Sequence, residues 1–253
     1  MSWINLEQLL LAGHSDRPVS FAPALDQAAV RARALSFAAA LQARGVQRLA
    51  LYLDDAAELA IALFGAWRAG VSVLLPADDL PQTREQLAGQ CDLWLDSLEG
   101  LEAEPLAPAM LDLDQCRLTL CTSGSSGAAK LIDKSLRQLA NEVTALEQLW
   151  GTELADATVV ASVSAQHIYG LLFCVLWPLC AGRPFLRHAQ PFPEDLQRES
   201  LQQSDFVWVA SPALLKRMGD NLDWPALSRV RQVFSSGGPL PAEAAQLLQQ
   251  RLG

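Results

Sequence analysis

Three observations predict that this chain adopts an α/β fold, with mostly parallel sheets layered against helices. Short apolar runs alternate with longer segments of helical periodicity, glycine and proline fall at the joints, and 51% of the 253 residues are hydrophobic. Runs that are apolar throughout, rather than at every second residue, belong to sheets covered on both faces, as parallel sheets are.

Taken in order, residues 25–44 (LDQAAVRARALSFAAALQAR) carry Ala and Leu at helical spacing with arginines on one face, and Gly45 supplies the stop. LALYL (49–53) reads as a buried strand. DAAELAIALFGAWRAG (55–70) reads as a second helix, with acids in its first turn and Arg68 ahead of Gly70 at its end, the polarity a helix dipole favours. VSVLL (71–75) is a strand closed by Pro76. Within the acidic stretch 76–114, CDLWLDS (91–97) holds a further strand and EGLEAEPLAPAM (99–110) a surface connection. CRLTLC (116–121) and KLI (130–132) are strands, and Ser135 with Gln138 fits a capping box that opens a helix expected to run to about Trp150. There follow a strand at TVVASV (158–163), an apolar helix over 167–181 and a strand at DFVWVA (205–210). SPALLKRM (211–218) opens a helix on proline, VRQVFS (230–235) is a strand, and PAEAAQLLQQRL (241–252) is an amphipathic helix. No repeat or long linker interrupts the chain. Residues 1–253 therefore read as one domain, divisible into two lobes at about 1–110 and 111–253.

Composition excludes several classes. Formal net charge is −9, and the 19 Lys and Arg are scattered, without the basic stripe a nucleic-acid surface carries. The five cysteines include no C-x-x-C pair, and Cys121, Cys174 and Cys180 lie in apolar runs, which suits reduced, buried thiols of a cytoplasmic protein. His14, His167 and His188 are remote in sequence from any cysteine pair, so no metal site is expected. The opening MSWINLEQLLLAG lacks a basic n-region and is interrupted by Glu7, unlike a signal peptide. Residues 157–182 carry no charge, but Ser162, Ser164, Gln166, His167 and Pro178 limit the apolar part to 168–182. A span needs about 20 apolar residues, so a buried helix is expected there and no membrane span.

The stretch TLCTSGSSGAAK (119–130) carries the chemistry. A flexible linker would have polar flanks, whereas this run is pinned between two strands. Gly124 and Gly127 open backbone angles closed to other residues and let the main chain approach a ligand. Thr122, Ser123, Ser125 and Ser126 add hydroxyl donors, and successive N–H groups in such a bend form an anion-binding hollow. Lys130 stands just beyond. The run is not a Walker A motif, which needs G-x-x-x-x-G-K-[ST] opening a helix.

Residues 122–130, TSGSSGAAK, resemble the Thr-Ser-Gly-(Ser/Thr)-(Ser/Thr)-Gly-x-Pro-Lys loop of the adenylate-forming (AMP-binding) superfamily, with Ala129 where proline is usual. ELAIALFGAWRAGVSVLLPADDLP (58–81), the helix at 19–46, QHIYGLLFCVLWPLCAGRP (166–184), SPALLKRM and VFSSGGPLP (233–241) are similar to further family landmarks in the same order. The Gly-Asp usual ahead of the strand LALYL is Gln47-Arg48 here.

The resemblance implies a large N-terminal AMP-binding domain of that fold, in an acyl- or aryl-CoA ligase or an adenylation domain. Such enzymes join ATP and a carboxylic acid into an acyl-adenylate, with Mg²⁺ assisting, and pass the acyl group to the thiol of coenzyme A or an acyl carrier protein. It implies that Thr122, Ser123, Gly124, Ser125, Ser126, Gly127 and Lys130 hold the phosphates, with Lys130 catalytic. Gly237 and Gly238 would lie against the nucleotide, and His167 and Gly170 against the acid. His167 also reads simply as a helix-start residue, and the Gly237-Gly238 pair as a plain strand-to-helix turn. The family's aromatic-Gly-x-Thr-Glu motif, ribose-binding aspartate, hinge and lysine-bearing C-terminal domain have no counterpart in this sequence. The expectation is an incomplete N-terminal domain, inactive alone. The alternative is a non-catalytic acyl- or nucleotide-binding module.

Overall fold

The computed structural model describes residues 3–11, 17–122 and 130–253. A short hairpin, β1 (Pro18–Phe21) and β2 (Ala24–Asp26), leads into α1 (Gln27–Ala43), where the Asp26 carboxylate accepts a hydrogen bond from the Ala29 N–H and so caps the first turn. Then come β3 (Arg48–Leu51), α2 (Ala56–Ala69), β4 (Ser72–Leu75), α3 (Pro81–Leu87), β5 (Leu93–Leu95), β6 (Arg117–Thr122) and β7 (Lys130–Ser135). Among the described residues these strands form a sheet in the order β5-β3-β4-β6-β7. The first four are parallel, while β7 folds back antiparallel on β6 in unbroken register from Arg117 opposite Ser135 to Thr122 opposite Lys130.

The chain continues through α4 (Leu136–Leu154) and β8 (Thr158–Ala161) to a helical run made of α5 (Ile168–Gly170), a π-helical segment (Leu171–Leu176) and α6 (Trp177–Ala181). After it come α7 (Pro193–Leu201), β9 (Phe206–Ala210), α8 (Pro212–Leu215), α9 (Trp224–Leu227), β10 (Val230–Ser235) and α10 (Ala242–Leu252). A second, parallel sheet has the order β10-β9-β8.

Side-chain alternation along the strands sorts the core into layers. Leu49, Leu51, Val73 and Leu75 face a large central cluster with α1, α2 and α4, while Ala50 and Leu74 face Leu87 of α3 on the opposite side. In the second sheet Val159, Val207 and Val209 face the same central cluster. Val160, Phe206 and Trp208 face outward to Leu196, Leu214 and Leu227. Helix α2 packs among α1, the strands β3 and β4 and the π-helical segment, and apart from half-buried Glu58 it is buried from Ala56 to Trp67, which is why it is almost wholly apolar. Burying one Leu, Ile or Phe side chain stabilises by about 1.5–3 kcal/mol, so this central layer carries much of the folding energy.

Most expected elements are present, with local differences. The α/β class and largely parallel sheets hold. Helix α4 runs to Leu154, past the expected end near Trp150, because Leu154 is buried and the Arg183 guanidinium satisfies the terminal carbonyls of Gly151 and Ala155. The apolar helix starts where expected but widens into the π segment. Pro178 has no N–H to give to Cys174, and the Trp177 N–H bonds the Leu172 carbonyl, five residues back. The β1–β2 hairpin, α3, α7 and α9 are additional to the sequence reading. The connection over 99–110 is pinned: Ser36 bonds Ala103, Arg68 bonds the Ala107 carbonyl, and the Leu106 N–H bonds Leu35.

Candidate functional site

In doubly wound sheets, ligands sit outside the carboxyl ends of parallel strands, where helix N-termini and turns leave room. Here both sheets present their carboxyl ends to one edge of the molecule, and hydrogen bonds tie the two edges together. The buried Gln166 side chain, just beyond β8, donates its Nε2 to the Leu53 carbonyl, just beyond β3, at 2.9 Å. The Ala56 N–H bonds the Arg187 carbonyl at 2.7 Å, and Arg187 Nε reaches the Asp55 carboxylate at 2.6 Å. At the end of β9, the Ala210 carbonyl accepts from both Tyr169 Oη and the Ser236 N–H, each at 3.4 Å. That shared acceptor brings the His167–Tyr169 segment beside the turn that carries Gly237 and Gly238.

Thr122 closes β6 and Lys130 opens β7 as paired residues, so the register of the hairpin delivers both ends of the glycine loop to the carboxyl edge. Lys130 is exposed there. Ser123, Gly124, Ser125, Ser126 and Gly127 lie outside the described residues. His167 is exposed at the N-cap position of α5, and its carbonyl accepts the Leu171 N–H at 2.8 Å. Gly170 is buried, and a Cβ there would overlap the Ser164 carbonyl. Glycine at 170 therefore allows the helix to lie directly on the loop after β8. Gly237 has φ +91°, a conformation side chains disfavour, and the space around Gly237 and Gly238 is open.

Sequence reasoning did not bring together the aromatic rings beneath this edge. Phe173 contacts Tyr169, Trp177 and Phe234 at centroid separations of 4.9, 5.6 and 5.0 Å, and Phe234 contacts Trp150 at 5.1 Å. These residues come from α4, the helical run and β10, and no local periodicity links them. Burial raises the Tyr169 phenol well above its usual range, so it serves as a neutral hydrogen-bond donor to Ala210. Burial also raises the Cys174 and Cys180 thiols and pushes Cys116 up to about 11, which leaves them protonated and unreactive.

Charge divides the edge. A crevice of 590 Å³ beside the ends of β3 and β5 is lined by Tyr52, Asp54, Asp79, Asp96 and neighbouring acids, which outnumber the Arg33 and Arg84 cations that pair with some of them. Burial, then Asp54, Asp78 and Asp79, raises the Tyr52 phenol. A polyphosphate is repelled from that end. The cation at Lys130, beside the end of β6, is the electrostatically favourable side.

Comparison with known proteins agrees with this architecture. A family model described as AMP-binding enzyme matches residues 73–253. Among solved structures, ATP-bound MatB from Rhodopseudomonas palustris superimposes with a TM-score of 0.77 at 19% identity, over 98% of this chain and 58% of that one. MbtA from Mycobacterium smegmatis gives 0.81 at 20% identity, over 99% and 55%. The o-succinylbenzoate CoA synthetase MenE from Bacillus subtilis gives 0.74 at 15% identity, over 99% and 57%. The chain therefore shares the adenylate-forming fold and spans little more than half the length of these enzymes. No curated protein matches the sequence. Among the described residues, no helix is long and apolar enough to cross a membrane.

Proposed function

Because the chain belongs to the AMP-binding enzyme family, we propose that it forms the nucleotide- and acid-binding part of a ligase that activates a carboxylic acid as its acyl-adenylate. The observation that carries this reading is the β6–β7 hairpin, which holds a glycine–hydroxyl loop between Thr122 and Lys130 at the carboxyl edge of a parallel sheet. In this reading the loop amides and hydroxyls and the Lys130 ammonium cradle the ATP phosphates as pyrophosphate leaves, and Gly237 and Gly238 admit the nucleotide closely. His167 and Tyr169 flank the acid carboxylate. Preorganised donors of this kind stabilise developing phosphate charge without reorganisation. Mg²⁺ would enter on the phosphates and offset their charge, and the acyl group would pass to the thiol of coenzyme A or a carrier protein. The described residues fit such a nucleotide: the Lys130 cation where β7 begins and open glycine backbone at Gly237 and Gly238.

Titration calorimetry of the 253-residue chain with Mg–ATP tests the reading. At ~4 Å and an effective dielectric near 20, an ammonium and a phosphate charge attract by about 4 kcal/mol before desolvation. Lys130→Ala is therefore expected to weaken ATP binding at least roughly tenfold, about 1.4 kcal/mol. Acid-dependent exchange of pyrophosphate into ATP is expected to be absent from this chain alone. Unchanged ATP affinity in the variant, or fatty-acid binding with no ATP binding at all, would overturn the reading in favour of a non-catalytic module.

A further inference from the structure

The rings of Tyr169, Phe173, Phe234, Trp177 and Trp150 occupy the space between the helical run and β10, directly beneath the carboxyl edge. From this we infer that the acid taken up at the His167 end is compact, a single ring or a short chain, and that Phe173 and Phe234 are the residues that exclude long alkyl tails. The inference rests on the acid-activation reading above and names the substrate class of that site.

The geometry is specific. Tyr169 and His167 stand at the start of the helical run, and Gly237 and Gly238 stand just past the end of β10. Phe173 lies one turn further along the helix from Tyr169, and Phe234 is the penultimate residue of β10. A tail entering between helix and strand would therefore meet the Phe173–Phe234 pair first. Their centroids are 5.0 Å apart at an interplanar angle of 59°. Rings at that separation are in van der Waals contact and leave no channel between them. Trp177 contacts both, at 5.6 Å from Phe173 and 5.8 Å from Phe234, and Trp150 contacts Phe234 at 5.1 Å. Phe173 cannot swing aside without breaking contacts to Tyr169, Trp177 and Phe234 together. The Trp177 indole is itself held by a 2.7 Å hydrogen bond to the Glu147 carboxylate. The π segment places Phe173 in this wall: five-residue spacing from Leu172 to Trp177 widens the turn that carries it.

The test is binding of benzoate, butyrate and decanoate to the intact 253-residue chain, followed by tryptophan fluorescence, with Mg–ATP titrated separately. The wild-type chain is expected to bind benzoate or butyrate at least tenfold more tightly than decanoate. Phe173→Ala, and independently the milder Phe234→Leu, should each improve decanoate affinity at least tenfold, with folding monitored by a cooperative thermal transition. Decanoate binding as tight as benzoate to wild type would overturn the inference. So would a folded Phe173→Ala and a folded Phe234→Leu that both gain nothing, or failure of all three acids to bind. The ATP titration separates the two levels: ATP bound with no size discrimination defeats the compact-acid inference alone, whereas loss of ATP binding defeats the ligase reading.

Discussion

Gly170 lies against the Ser164 carbonyl so closely that any Cβ would collide with main chain, which cannot yield as a flexible side chain would. Gly170→Ala is therefore expected to destabilise by about 1–3 kcal/mol, read as a lower urea midpoint at unchanged slope. Gly45 and Gly70, with φ of +66° and +78°, are the stops that sequence spacing marked, each just past its helix. Their role was legible because a helix terminus is a local event. The packing need at Gly170 was not, since it depends on the loop after β8 folding back beneath the helix. The anionic character of the β3 and β5 ends was likewise invisible in a scattered list of acids.

At the scale of elements, the join between α4 and α6 depends on one buried cation. Arg183 is 4% exposed, reaches Glu147 at 2.7 Å and bonds the Gly151 carbonyl at 2.9 Å. Its guanidinium also lies 5.3 Å from the Trp177 ring centroid. Glu147 is 29% exposed, so the main loss on removing the cation is its hydrogen bonds to the Gly151 and Ala155 carbonyls. Arg183→Ala is therefore expected to cost about 1–3 kcal/mol in chemical denaturation, more than loss of an exposed pair. The capping box at Ser135 and Gln138 was legible because both residues act within one turn. The length of α4 was not, because Arg183, from beyond the next strand and helix, completes its C-terminus. The β1–β2 hairpin, α3, α7 and α9 were missed for a related reason. They are short, and packing rather than a long periodic pattern stabilises them.

For the molecule as a whole, acid should be the weak side. The Asp79 carboxyl is held below its ordinary 3.8, chiefly by hydrogen bonds from Arg84 and secondarily from Trp94, against the opposing effect of burial. Arg48 lowers Asp92 and Arg137 lowers Asp114 in the same direction. A depressed folded-state value contributes stability that is fully present above the unfolded value and lost as pH falls through the folded one. The melting temperature is therefore expected to fall as pH is lowered below about 4, and Asp79→Asn should make that fall shallower. A melting temperature flat from pH 6 to 3 would contradict this.

By itself the sequence determined the α/β class, the order of most strands and helices, and a glycine–hydroxyl loop clamped between β segments. Each of these follows from backbone preferences and burial periodicity acting over a few residues. The tertiary structure alone decided that two sheets share one carboxyl edge, that Arg183 locks α4 to α6, and that rings from positions 150, 169, 173, 177 and 234 fill the space below the candidate site. Those outcomes depend on close packing between segments far apart in the chain, and short-range preferences carry no information about which side chains will meet there.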